Sequence, residues 1–502
     1  MRRARSVLLL AFLVAAALLT TRGDARAFCG FYVGSSNAPL VNPATLVVLM
    51  RDGTRTVMSM RNDYQGPPEA FAMVVPVPAV LKKENVRTLP RDLFTRIDVL
   101  GSPRLVEYWE QNPCPESSDD DKEGGTGTRA KGEEGSMGNP NTKDSRRPLV
   151  RIEAQFDVDE YEIVILSAED SGALDAWLRG NGYHIPADAE PALRPYVAGG
   201  SKFFVAKVDP AKVRFEGGRA VLSPLRFYFD GEAFTLPIRL GLINAGAAQD
   251  LVVEILAATR YEAANYENVF IPTNLDVTDD VRGRFDEFYA ALFDRSIAGK
   301  PRAVVTEYAW GSGSCDPCPG PALDPNDIDL LGGSVLQNRP GSFVLTRLHA
   351  RYSRQTLGDD LVFRTAPPVV GGREDQELAV QRTDARPSSN DAFQARYVIR
   401  HRWTGPIACS DPTYGVWGGP PQSRHHPAPS LQAASDPAFA PRGKLALASA
   451  VLVDVPAIGL TSDKPTAPDR VSRFELGLVG GAAAGFLLAL ARRLRAGPGA
   501  SR

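Results

Sequence analysis

The sequence is poor in the residues that most often carry chemistry. Its 502 residues include five cysteines, five histidines, six methionines and five tryptophans. It contains no His-Glu-x-x-His, no Gly-x-Ser-x-Gly and no Gly-Lys-Ser/Thr, which excludes the usual metalloprotease helix, nucleophile elbow and phosphate loop. Charge of one sign is also missing. The net charge is −2, so neither nucleic acid nor an anionic membrane surface is implied as a partner. The histidines are scattered. His184 and His349 fall in ordered segments, His401 in a strand pattern at Tyr397–Trp403, and His425 and His426 in a proline-rich linker. Each reads as structural on its own, although a triad assembled from distant segments stays open. No cofactor motif, metal-ligand set or catalytic residue is expected.

What is present begins at the ends of the chain. Arg2, Arg3 and Arg5 precede an apolar run from Val7 to Leu19, and Ala25-Arg26-Ala27 fits a small-x-small cleavage site. Residues 1–27 are therefore expected to be a signal peptide, and the protein to be exported. At the other end, Leu476 to Ala491 carries no charge, and Arg492, Arg493 and Arg495 follow. As a helix this run is roughly 24 Å long, slightly short of a bilayer core that snorkelling arginines extend. Residues 474–493 are expected to be a transmembrane anchor or sorting tail, with the arginines inside and the body outside the cytoplasm. A buried terminal helix is the competing reading. The spacing Gly477-x-x-x-Gly481-x-x-x-Gly485 is a small-residue pattern compatible with weak homodimerisation.

Between the ends, residues 115–148 form a linker. Met137 is the one large apolar side chain from Pro115 to Arg147, so that stretch lacks the surface to offset its ordering entropy. Residues 28–114, 149–310 and 311–417 are expected to be the N-terminal, central and β-rich C-terminal parts of the body, and 418–473 a Pro/Ala-rich region. Thr45–Met50, Arg55–Met60 and Phe71–Val77 read as strands, with a hairpin turn at Arg51-Asp52-Gly53-Thr54. Ser102-Pro103 predicts a helix start, followed by Leu105, Tyr108 and Trp109 at helical spacing. Tyr161–Leu166 predicts a strand, and Ser167 with Asp170 a helix carrying Leu174, Trp177 and Leu178. Strands follow around 203–208, 225–229, 238–243 and 251–257, and a helix starts at Thr278. The strand patterns at Phe343–Tyr352 and Phe393–Trp403 are candidates to pair. Strands in runs predict an α+β fold with mixed, mainly antiparallel sheets in two lobes.

Cys315-Asp316-Pro317-Cys318 follows a strand at Val304–Tyr308. Zinc normally takes four ligands, and Cys29, Cys114 and Cys409 are single and far apart. A thioredoxin-like centre needs a helix N-terminus at the motif to lower a thiol pKa, and Pro319-Gly320-Pro321 blocks one. A structural Cys315–Cys318 disulfide is therefore expected, and a Cys29–Cys114 pair would tie down the mature N-terminus.

Five segments occur in order: CGFYVGSSNAPLVNPATLVVLMRDGTRTVMSMRNDYQGPPEAFAMVVPVP, SPRLVEYWEQNPC, CDPC, FVLTRLHARYS and FQARYVIRHRWTGPIAC. Together they resemble an exported bacterial family named domain of unknown function 2330, from Cys29 to about Cys409. The resemblance implies an envelope location and a globular body, and carries no catalytic residues. The function expected is a membrane-anchored envelope protein that binds or scaffolds a protein or glycan partner. An envelope enzyme, either a thiol oxidoreductase at Cys315/Cys318 or a hydrolase, is the alternative.

Overall fold

Short β-branched and aromatic runs, broken by turn residues, build most of the chain, and sheet outweighs helix. The structure, a computed structural model, describes residues 31–34, 45–62, 64–65, 71–114, 149–185, 189–216, 219–244, 248–373, 382–420, 430–433 and 441–465. The expected leader (1–27), the linker (115–148), Cys29, His425, His426 and the apolar tail (474–493) lie outside the described residues.

Strand β1 (Phe31–Gly34) precedes a hairpin of β2 (Thr45–Asp52) and β3 (Arg55–Asn62). Gly53 turns it at φ 54°, where a side chain would be strained. After β4 (Phe71–Val77) come helix α1 (Arg91–Gly101) and β5 (Arg104–Glu110). The expected helix after Ser102 is thus a strand, and the helix ends there instead. Ser102 Oγ donates to Asp98 C=O at 2.6 Å and closes α1. In strand β5 Arg104, Leu105, Val106 and Glu107 are buried in succession, so both faces are covered there and the alternation that would have marked a strand is lost.

Next are β6 (Val150–Val158), β7 (Tyr161–Ala168), α2 (Ser171–Gly180), α3 (Ala189–Ala198) and β8 (Lys202–Val208). Asp170 alone caps α2, accepting the Ala173 N–H at 2.7 Å, because Ser167 still belongs to β7. Beyond β9 (Leu225–Asp230), the stretch expected as a strand at 238–243 is a 3-10 turn, Arg239–Asn244. Asp360 Oδ1 accepts the Ile238 and Arg239 N–H groups at 2.9 and 3.3 Å and bends the chain there. The remaining major elements are β10 (Gln249–Ala257), β11 (Glu267–Phe270), α4 (Phe285–Ser296), β12 (Ala303–Gly311), α5 (Pro325–Leu331), β13 (Val344–Tyr352), β14 (Ala392–Gln394), β15 (Arg396–His401) and α6 (Leu447–Ala450).

An eleven-stranded sheet runs through the order β14-β12-β13-β10-β2-β3-β9, with β11 added beside β12. Most of its pairs are antiparallel, while β10–β2 and β11–β12 are parallel. The strands at 344–352 and 396–401 do not pair. β13 lies between β10 and β12, and β15 joins another sheet, parallel to β5. A five-stranded sheet, β1-β4-β8-β7-β6, packs on one face of the large sheet through Val47, Met58, Met73, Phe204, Phe227 and Ile255. The large sheet's other face carries two apolar clusters. One lies under α1 and α5 (Phe94, Ile97, Ile328, Leu331), the other under α4 (Phe285, Phe288, Leu292). The result is an α+β architecture with several sheets and few helices. Among the described residues, no helix is long and apolar enough to cross a membrane.

Candidate functional site

The cysteine loop comes first, because the sequence points to it. β12 ends at Gly311, and a disulfide joins Cys315 to Cys318. Gln394 Nε2 donates to Asp316 C=O and Arg104 Nη1 to Pro317 C=O at 2.9 Å, while Arg373 pairs with the Asp316 carboxylate. Cys315 is half-buried and Cys318 exposed. The next helix begins only at Pro325, capped by Asp324. No helix therefore starts at the motif, and the loop lacks the usual local means of stabilising a thiolate.

The second disulfide corrects an expectation. Cys114 bonds Cys409, not Cys29. The cause is the parallel pairing of β5 with β15, in which Trp109 lies opposite His401. Both strands run in one direction, so the segments leaving their C-terminal ends stay side by side, and the cysteines on them meet with Cα atoms 5.6 Å apart. Nothing local in the sequence announces a contact across 295 residues.

The densest polar chemistry lies elsewhere, between the two apolar clusters on the outer face of the large sheet. β10 contributes Asp250 and Glu254. β13 contributes Arg347, His349 and Arg351 at period two, and cross-strand register sets Arg347 opposite Glu254 and Arg351 opposite Asp250. Glu307 comes from β12 at a bulge between Thr306 and Tyr308, where the extra residue re-aims a side chain. Arg347 reaches Glu307 and Glu254 at 2.7 Å each and Asp98 of α1 at 2.8 Å. His349 bridges two carboxylates: Nδ1 lies 2.7 Å from Glu307 Oε1 and Nε2 3.0 Å from Asp250 Oδ1. Tyr289 of α4 donates its hydroxyl to Glu307. Asp250 also pairs with Arg351 and with Arg442, which pairs in turn with Asp294 of α4.

Burial and charge sort these groups. Burial works against a charged His349, but Glu307 and Asp250 overcome it and raise the imidazole above its ordinary 6.5. Burial likewise opposes ionisation of Glu307, but His349, Arg347 and the Tyr289 hydroxyl bring it down to about 2. Glu254 goes the other way. Burial pushes it up to about 8 despite Arg347, and the neighbouring Asp98 and Glu307 charges add to the rise. At neutral pH Glu307 is therefore ionised and Glu254 largely holds its proton, while the two carboxylates favour the imidazolium form of His349. Five of these side chains are sealed: Asp250, Glu254, Glu307, Arg347 and His349 expose 3%, 0%, 0%, 2% and 1% of their surface.

His401 is a smaller case of the same kind. Its Nε2 donates to Glu107 Oε2 at 2.8 Å, and the ring stacks on Trp109 beside Arg282. His184 is exposed. Among the described residues, no group of three or more His, Cys, Asp or Glu is placed to hold a metal ion. Openings among the described residues include the following two. One of about 120 Å³ lies between α1 and the cysteine loop, at Val99, Leu100, Gly320 and Pro321. The other, about 600 Å³, is lined by 268–272 along β11, the end of α4, residues 383–385 and Ala457–Ile458. Neither is lined by a member of the sealed network.

Sequence reading missed the network, although a signal existed. Arg-Leu-His-Ala-Arg at 347–351 and Asp-Leu-Val-Val-Glu at 250–254 place charges at strand spacing inside apolar runs. Such alternation normally marks a solvated face. Here opposite charges on neighbouring strands allow the face to be buried.

The fold and site thus define a disulfide-braced, sheet-rich α+β protein with a buried ion network and, apart from it, an open cleft beside β11. The chain belongs to the DUF2330 family, described as uncharacterized proteins conserved in bacteria, whose pattern matches residues 24–364. No curated protein and no solved structure matches it.

Proposed function

We propose that this protein is an exported component of the bacterial envelope, and that its body acts outside the cytoplasm by binding or scaffolding and not by catalysis. The observation that carries the reading is the pair of disulfides, Cys114–Cys409 and Cys315–Cys318. Such bonds persist in oxidising compartments and are rare where cytosolic thiol systems keep cysteines reduced. The pattern from Arg2 to Ala27 gives the same direction, since it has the charge, apolar run and cleavage residues of a leader.

The non-catalytic half rests on access. Catalytic acids and bases must reach substrate within hydrogen-bond distance, directly or through one water. Glu307, His349 and Asp250 are instead spent on each other, Arg347, Arg351, Arg442 and Tyr289 beneath α1 and α4. The run 474–493 is the proposed membrane anchor, with Gly477, Gly481 and Gly485 as its contact stripe between copies.

Fractionation tests the reading. Full-length protein is expected in the membrane pellet and a chain truncated after Arg473 in the soluble envelope fraction, still folded and still co-purifying with an envelope protein or glycan. A truncated chain that stays membrane-bound or unfolds would refute the anchor. Turnover of a substrate by the purified body, lost in a single-residue variant that stays folded, would refute the non-catalytic reading.

A further inference from the structure

We propose that the open edge of β11, together with the cleft beside it, binds an extended peptide strand carrying an acidic residue. This deepens the binding role proposed above and rests on it.

The backbone supplies the first argument. Glu267 N–H donates to Arg302 C=O at 3.3 Å and Ile271 N–H to Thr306 C=O at 3.2 Å, so odd-numbered residues turn their polar backbone groups toward β12. In a strand the intervening residues point theirs the other way. The N–H and C=O of Asn268 and Phe270 therefore face outward, and β11 pairs with no strand on that side among the described residues. The cleft confirms the direction. It is lined by five consecutive residues, Asn268 to Pro272. A face of a strand presents only alternate residues; a consecutive set means that the edge itself forms the wall.

The opposite walls suit a strand. Beyond Pro272 the chain leaves β12, and Thr273 N–H bonds Thr383 C=O at 3.0 Å, which sets 383–385 across the gap. Ala298, Ala385, Ala457 and Ile458 give the cleft small apolar surfaces for alternate side chains. Its volume of about 600 Å³ lies within the range of ligand pockets. Addition of a strand to an exposed edge draws affinity from main-chain bonds and specificity from such side pockets.

Charge selects the occupant. Arg295 and Lys300 line the cleft against one acid, Asp384. Lys300 is paired with Glu267 at 2.8 Å. Arg295 instead spends two donors on the Ile458 and Gly459 carbonyls, at 2.9 and 2.7 Å, and neither partner neutralises its charge. A carboxylate on the incoming strand would do so.

The test is selection of random decapeptides displayed on phage against the mature, disulfide-intact chain. Enriched peptides are expected to alternate apolar residues and carry a Glu or Asp, and to bind synthetic copies in solution. Two variants report the site. Ala298→Trp fills the cleft from an exposed position. Phe270→Pro removes an outward N–H while leaving the bonds to β12 intact, as proline does on an edge strand. Each should weaken binding by about tenfold or more, with unchanged thermal unfolding for Ala298→Trp. Backbone N-methylation of the peptide should abolish binding. Enriched peptides indifferent to both variants would overturn this site while leaving a binding role elsewhere. Failure to enrich any peptide, or equal binding of the N-methylated form, would overturn strand addition.

Discussion

Glu254 and Glu307 share one arginine, and their surroundings divide them. Glu307 is ionised because His349, Arg347 and Tyr289 all favour its charge, whereas burial leaves Glu254 near 8. Glu307→Gln should therefore destabilise strongly, by about 3–5 kcal/mol, because Arg347 and His349 lose the ionised carboxylate they share in the core, which leaves Asp98 and Asp250 as their remaining anions. Glu254→Gln should be tolerated. An acid whose folded pKa is raised loses stability as pH climbs from 4.5 to about 8, so the glutamine variant should gain on the wild type across that window. Urea titrations at several pH values measure both. His349 adds a second dependence of the same sign. Its folded pKa is raised, so its contribution is complete below 6.5 and fades as pH rises through the folded value. His349→Gln should flatten that part of the profile; an unchanged slope above pH 6.5 would remove the imidazolium from the account.

At the scale of elements, sequence pattern carried far where caps and turn residues bounded each apolar run, and failed where apolar spacing fitted helix and strand alike. The β2–β3 hairpin, β7, α2, β8, β9, β10 and α4 were legible from period, caps and turn residues. β5 was not, since both its faces are covered from Arg104 to Glu107 and its apolar spacing suits a helix equally well. The sealed network was hidden for a related reason: the partners on β10, β12 and β13 are distant in sequence, and only register brings them opposite. The same parallel β5–β15 pairing that sequence could not reveal places Cys114 beside Cys409. That crosslink closes a long loop, and Cys409→Ser should cost about 2–5 kcal/mol of unfolding free energy under oxidising conditions. Cys318→Ser, which opens a loop of sequence separation 3, should cost much less. Equal losses in the two variants would contradict this ranking.

For the whole molecule, the large sheet draws strands from residues 45 to 394, and residues beyond the family match complete its outer face. Tyr397, Val451 and Val455 fill the cluster under α4, and Arg442 docks on Asp250 and Asp294. Truncation near residue 364 should accordingly give an insoluble or partly unfolded body, visible as lost cooperativity in thermal denaturation. The central claim, a body that matures outside the cytoplasm, is tested most directly by mass-spectrometric mapping of disulfides in cells lysed into an alkylating agent. The account predicts linked peptides for Cys114–Cys409 and Cys315–Cys318 in the full-length chain, no intrachain link at Cys29, and reduced cysteines in a chain lacking residues 1–27. Five alkylated thiols in the full-length protein would contradict it.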